Sequence, residues 1–141
     1  MTDLDRARVW IEAALAHGGG THTFEDIAEG IANGRMQFWP APRGCLITEL
    51  IVYPRKRVLN VFLGGGDLDQ LVDMHDAVAA WAKAQGCDAA TINGRPGWQR
   101  VYRGRGWKAL ATTLVKDFGP RALPVVQDEP PKRPAPEAQT A

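Results

Sequence analysis

Apolar residues recur at helical spacing in two segments at the start of the chain. In residues 3–16 they fall every three or four positions, and the glycines at 18–20 end the pattern. The second segment begins near Thr23, which can cap a helix together with Asp26, and it ends near residue 33. The pattern therefore predicts two amphipathic helices before any strand.

The spacing of apolar residues then changes from helical to alternating. Residues 35–39, 45–53 and 58–63 are rich in β-branched and aromatic side chains, and prolines follow the first two runs. A short basic turn at residues 54–57 separates the second run from the third. We predict a three-stranded antiparallel meander.

The remaining pattern alternates between strands and helices. Residues 64–66 are all glycine, and a clear helix with one apolar face follows over residues 68–82. We predict a short strand at residues 87–92, a basic helix at 96–103 and a final strand at 107–118. The whole order, ααβββαβαβ, predicts an α+β domain on a single mixed sheet.

The composition changes after residue 118. Residues 119–141 hold six of the ten prolines and no aromatic side chain. Few apolar groups remain there to offset the entropy lost on ordering, so we expect a proline-rich, disordered tail. The predicted organisation is one domain over residues 1–118 followed by this tail.

Composition excludes several classes of protein. Lys and Arg total 17 against 16 Asp and Glu, a balance that disfavours a dedicated nucleic-acid binder. No apolar run is long enough to span a bilayer, and the acidic N-terminus lacks a signal core, so we expect no membrane association and a cytoplasmic protein. The chain has no serine, which excludes serine hydrolases, and its two cysteines and three histidines predict no metal site.

One short motif carries a family resemblance. Tyr102 is followed by Gly106 and Trp107, and a helix is predicted to end there and lead into a strand. This arrangement resembles the Tyr-x-x-x-Gly-aromatic signature of the GNAT superfamily of N-acetyltransferases. The order strand, glycine turn, helix over residues 58–84 also resembles that family. Residues 94–98 resemble small GNAT-like proteins of bacteriophages and prophages, which would place this protein in the cytoplasm of a bacterial host.

The resemblance implies acetyl transfer from acetyl-CoA to a primary amine on a small molecule or a protein. In that family the third and fourth strands splay to admit the pantetheine arm. The resemblance would put the backbone of Leu63, Gly64, Gly65 and Gly66 against the pyrophosphate, and Asn93 against the pantetheine. Tyr102 would protonate the CoA thiolate.

Glu49 is the second catalytic candidate. It is a lone carboxylate in a strand whose neighbours on both faces are apolar, a setting that suits a general base accepting a proton from an amine. The alternative is a structural glutamate paired with Arg43 or Arg57. For Tyr102 the alternative is packing, with its hydroxyl at the surface.

Two features favour a different function. Val61 stands where the family's pyrophosphate turn has Gln or Arg, and Asp67 and Asp69 begin the following helix, where an anion would lie. We expect Asp67 to cap this helix, with Gln70 reaching back as its partner. The glycine run is then a flexible connection, and the alternative function is a catalytically silent GNAT-like protein that acts as an interaction or assembly factor with a protein partner.

Overall fold

The computed structural model describes residues 1–93 and 96–120, and of residues 96 and 97 it describes only the backbone. Two helices come first, α1 (Asp3–Ala16) and α2 (Phe24–Ala32), as predicted. Both begin with the same capping arrangement, in which a threonine hydroxyl accepts a backbone N–H three residues on and an aspartate returns the bond.

Four strands form one mixed sheet in the order β1-β2-β3-β4. The first three strands are antiparallel neighbours, and the last two are parallel. The strands are β1 (Met36–Ala41), β2 (Gly44–Val52), β3 (Arg57–Gly66) and β4 (Ala89–Ile92). The predicted meander and mixed sheet are therefore confirmed.

Two further helices belong to the second half of the chain. Helix α3 (Leu68–Ala84) makes the crossover that parallel strands require between β3 and β4. Helix α4 (Pro96–Tyr102) follows β4, and a single 3₁₀ turn at Arg103–Arg105 ends it. Gly106 adopts φ 90°, the left-handed conformation that a helix end favours.

Each face of the sheet carries its own apolar core. On one face α1 and α2 bury Ala7, Ile11, Phe24 and Ile27 against the sheet. On the other face the strands bury Leu46, Leu59 and Val61 against α3 and its residues Leu71, Val78 and Ala82. The sheet is therefore covered on both sides, with the alternation along β3 deciding which side chains meet which helices.

The pairing of β2 with β3 contains one irregularity. Thr48 stands opposite Val61, but the residue before it on β2, Ile47, stands opposite Leu63. Phe62 is therefore an extra residue, a β-bulge on β3. Beyond it the side chains change faces, so Leu63 joins the core under α1 and α2.

The predicted final strand at residues 107–118 is wrong. Residues 107–120 contain neither helix nor strand, and Leu110 and Phe118 are 85% and 92% exposed. Alternation gives a segment only a tendency toward extended backbone, and a strand forms when a neighbouring strand accepts its hydrogen bonds. Most of the predicted tail, residues 121–141, lies outside the described residues, as do Gly94 and Arg95.

Candidate functional site

The N-terminus of α3 is capped by a side chain of the protein itself. The Asp67 carboxylate accepts a hydrogen bond from the backbone N–H of Asp69 at 3.0 Å, and Nη2 of Arg43 lies 3.0 Å from its other oxygen. Gln70 does not return to Asp67 as predicted. Its Oε1 instead accepts the backbone N–H of Arg43 at 2.8 Å, so the turn before β2 is fastened to α3.

The glycine run is part of β3, so its interpretation as a flexible connection is wrong. Residues 64–66 continue the pairing with β2, and Gly66 stands opposite Gly44. Gly66 has φ 102°, and a Cβ there would collide with the Arg43 carbonyl oxygen and with Cα of Gly44. Only glycine fits this position.

The other two glycines each accommodate a neighbour at close range. A Cβ on Gly64 would lie 2.8 Å from a methyl carbon of Leu46 and 2.9 Å from the ring of Trp98. A Cβ on Gly65 would lie 2.8 Å from the backbone carbonyl oxygen of Trp10 in α1. These glycines let a helix and an indole ring approach the strand, so packing alone accounts for them.

Strand β3 is paired with β4 only before these glycines, because β4 ends at Ile92. Their parallel pairing runs from Val58 opposite Ala89 to Val61 opposite Ile92. After Val61 comes the bulge, and β3 continues to Gly66 with no described residue of β4 paired to it. Asn93, directly after β4, is exposed. The predicted donor-binding residues Leu63 to Gly66 thus occupy an edge of β3 that β4 does not cover.

Tyr102 is buried rather than surface-exposed. Its side chain is 3% exposed, and its hydroxyl lies 2.7 Å from Nδ1 of His75 on α3. Burial raises the pKa of Tyr102 to about 12, so the phenol keeps its proton at neutral pH. Sequence reasoning missed this pair, since 27 positions separate the two residues.

His75 lies on the buried, apolar face of α3. It is 1% exposed, and Nδ1 also lies 2.6 Å from the Leu71 carbonyl oxygen. Burial lowers the pKa of His75 below its ordinary value, and the bond to Leu71 opposes that shift. The rings of Trp98, Tyr102 and Trp107 meet the imidazole edge to face, with centroids 4.8 to 6.2 Å away.

Glu49 belongs to a row of polar side chains that crosses three strands. Its Oε1 accepts a hydrogen bond from Nδ2 of Asn60 at 3.1 Å, and Oδ1 of Asn60 accepts one from Thr91 Oγ1 at 2.8 Å. The expected salt bridge with Arg43 or Arg57 is absent among the described residues, since Asn60 takes that place. The sequence signal for Asn60 was a single polar residue in the apolar run of β3.

Glu49 and Tyr102 lie on opposite sides of the sheet. Asn60, the partner of Glu49, alternates along β3 with Leu59 and Val61, which face α3. Tyr102 contacts His75 of α3 and therefore lies on the α3 side. The two catalytic candidates do not touch, but the polar row stands one residue before the last pair of β3 with β4, Val61 opposite Ile92.

Solved structures share this architecture. TTHA1254 from Thermus thermophilus is 15% identical, with a TM-score of 0.59 over 86% of this chain and 96% of that one. A tetramutant of BH1408 from Bacillus halodurans is 12% identical, with a TM-score of 0.57 over 82% and 92%. A Trypanosoma brucei acetyltransferase, Tb11.01.2886, is 11% identical, with a TM-score of 0.55 over 84% and 96%.

The fold is GNAT-like. At these identities the structures establish the fold alone. A scan against protein-family models finds no match, and a search of curated proteins finds none either.

Residues 1–93 and 96–120 contain no cluster of three His, Cys, Asp or Glu side chains that could hold a metal ion. Within the same residues, no helix has the length and apolar character needed to cross a membrane. The candidate site consists of the edge of β3 that no described residue of β4 pairs with, the His75–Tyr102 pair and the polar row from Glu49.

Proposed function

We propose that this protein is an acetyl-CoA-dependent N-acetyltransferase that acts on a primary amine in the cytoplasm. The observation that carries the proposal is the end of β4 at Ile92, opposite Val61, beyond which β3 continues to Gly66 with no described residue of β4 paired to it. A strand that continues past the end of its parallel neighbour offers backbone groups to an extended ligand, and the amide-containing arm of CoA is such a ligand. The likeness to an acetyltransferase fold supports the same conclusion.

The donor arm would lie along β3 from Leu63 to Gly66, with Asn93 on its other side. Trp98 contacts this edge at Gly64 and would form the wall of the groove. Because the edge of a strand is reached from both faces of a sheet, a thioester held beside β3 would be accessible to groups on either side. This accounts for a base on one face and an acid on the other.

Glu49 would accept a proton from the amine, directly or through a water molecule, with Asn60 holding its carboxylate in place. The amine nitrogen then forms a bond to the acetyl carbon, and the bond from that carbon to sulfur breaks. Tyr102 would give its proton to the departing thiolate. Because burial raises the pKa of Tyr102, the phenol keeps its proton until the thiolate forms.

The test is titration calorimetry with acetyl-CoA, with dephospho-CoA as a control, followed by turnover on a panel of primary amines. We expect micromolar binding, and Tyr102→Phe should lower turnover sharply with little change in donor affinity. Tyr53→Phe is the matched control, because Tyr53 is the other tyrosine and is exposed. Equal turnover by Tyr102→Phe and wild type would remove Tyr102 from the mechanism.

A second function has its own supporting observation. The N-terminus of α3 is already occupied by the Asp67 carboxylate and its partner Arg43. A pyrophosphate near that end would meet negative charge, which favours a catalytically silent protein that binds another protein. Absence of heat at millimolar acetyl-CoA would favour this alternative.

A further inference from the structure

The hydrogen bonds of His75 determine which ring nitrogen carries the proton. Nδ1 lies 2.6 Å from the carbonyl oxygen of Leu71, one turn earlier on α3. A carbonyl oxygen only accepts hydrogen bonds, so Nδ1 must be the donor and carry a hydrogen. In the neutral ring this leaves Nε2 without a proton.

The same hydrogen reaches Tyr102. The phenol oxygen lies 2.7 Å from Nδ1, so it accepts part of a shared hydrogen bond. A phenol that accepts at this nitrogen does not donate its own proton there. The O–H bond of Tyr102 is therefore directed away from His75.

The unpartnered nitrogen of His75 indicates that packing does not explain the residue. Nε2 is buried, and no hydrogen-bond partner for it exists among the described residues. A leucine or phenylalanine would fill such a space without leaving a polar atom unsatisfied. The imidazole is thus retained at a cost in stability, in contact with the proposed acid.

We propose that His75 is the positioning residue of Tyr102. It holds the phenol oxygen through Nδ1–H, leaves the phenol proton available and stabilises the phenolate formed when that proton departs. This inference rests on the proposed function. In the step itself the Tyr102 O–H bond breaks and an S–H bond forms on CoA, while His75 keeps its proton. Tyr102 afterwards regains a proton from water.

The aromatic rings around His75 support this role. Trp98 and Trp107 meet the imidazole nearly perpendicular, at interplanar angles of 84° and 87°. They fix the ring orientation and exclude water from the hydrogen bond to Tyr102. A water molecule at that oxygen would compete with Nδ1–H for it.

The first test determines the tautomer of the His75 ring in the intact wild-type protein. Long-range ¹H–¹⁵N correlation spectra at neutral pH distinguish the two tautomers, and the chain has only three histidines. The signals missing from His75→Asn identify His75. We expect a protonated Nδ1 and an unprotonated Nε2. A protonated Nε2 would mean that Tyr102 donates to His75, and the inference would be wrong.

The second test separates positioning from simple packing. His75→Leu removes the donor, whereas His75→Asn can keep an N–H near the place of Nδ1. We expect His75→Leu to lower kcat about 10- to 100-fold, a part of what general acid catalysis contributes, with donor affinity unchanged. His75→Asn should recover most of that loss. His17→Asn, at an exposed histidine, serves as the control.

The outcomes of these tests distinguish a failure of this inference from a failure of the proposed function. A wild-type protein that binds no acetyl-CoA and acetylates no amine overturns the proposed function, and the role of His75 with it. An active wild type in which the leucine and asparagine variants lose the same activity overturns the inference about His75 alone.

Discussion

Two glycines of β3 lie against different kinds of neighbouring atoms, and we call these two sets of atoms the walls. On the α1 side, Gly65 faces the backbone carbonyl of Trp10, an atom held by the helix itself. On the α4 side, Gly64 faces the ends of two side chains, those of Leu46 and Trp98. The two glycines are adjacent in sequence, and their surroundings differ in whether they can move.

This difference shows where room for a ligand can arise. A side chain changes rotamer locally, whereas moving a helix backbone disturbs every contact of that helix. The side-chain ends that lie against Gly64 can therefore shift locally, while α1 holds the opposite face fixed. The α4 side is the side on which the proposed donor groove can open.

The largest effect is expected at the fixed end of the glycine run. Gly66→Ala adds a Cβ that collides with backbone atoms of Arg43 and Gly44, at φ 102°. Neither strand can move away without breaking the pairing of β2 with β3, so we expect a loss of more than about 3 kcal/mol of unfolding free energy. Urea denaturation followed by circular dichroism measures it.

A matched control separates collision from backbone strain. Gly86 has a similar φ of 83°, but nothing lies within 4 Å of a Cβ placed there. Gly86→Ala should cost only the strain of the left-handed conformation, about 1 to 2 kcal/mol. Equal losses for the two variants would mean that crowding at Gly66 is unimportant.

The next prediction compares the two walls directly. Gly65→Ala must push against α1, and we expect a loss of about 2 to 3 kcal/mol, whereas Gly64→Ala should cost about 1 to 2 kcal/mol. In a Trp98→Ala background the cost of Gly64→Ala should fall and that of Gly65→Ala should not, a coupling that a double-mutant cycle measures. If Trp98→Ala relieves both glycines equally, the two walls are alike.

Sequence reasoning succeeded where the signal is local. The predicted cap at Thr23 lies next to the helix that it starts, and helical and alternating spacing located α1, α2 and the meander. The bulge at Phe62 leaves no such mark, because it depends on which residue of β2 stands opposite. The contact of Tyr102 with His75 depends on how α4 packs on α3, and the failed strand at 107–118 shows that alternation without a partner strand is insufficient.

A third prediction concerns pH and applies to the α4 side. Burial places the pKa of His75 in the folded protein below its value of about 6.5 in the unfolded chain. As pH falls below about 6.5, the unfolded chain binds a proton that the folded protein refuses, so stability declines by at most about 1.4 kcal/mol per pH unit. The decline ends at the folded pKa, below which both states bind the proton.

Thermal unfolding between about pH 7.5 and pH 5.5 tests this. We expect the Tm of the wild type to fall more over that range than the Tm of His75→Asn, which lacks the titrating ring. His17→Asn should follow the wild type, since His17 is exposed. Parallel curves for wild type and His75→Asn would show that the protonation of His75 does not limit stability.

The smallest effect on stability, and the most informative for function, is expected at Asp67. Asparagine also caps helices, so Asp67→Asn removes the charge and the ion pair with Arg43 while keeping the cap, at a loss below about 1 kcal/mol for this partly exposed pair. If CoA pyrophosphate approaches α3, losing that carboxylate should tighten acetyl-CoA binding about two- to fivefold. The control is Asp69→Asn, which removes an acid that has no ion pair among the described residues and should tighten binding less. Unchanged affinity in a protein that does bind acetyl-CoA would mean that the donor leaves the β3 edge without passing this helix end.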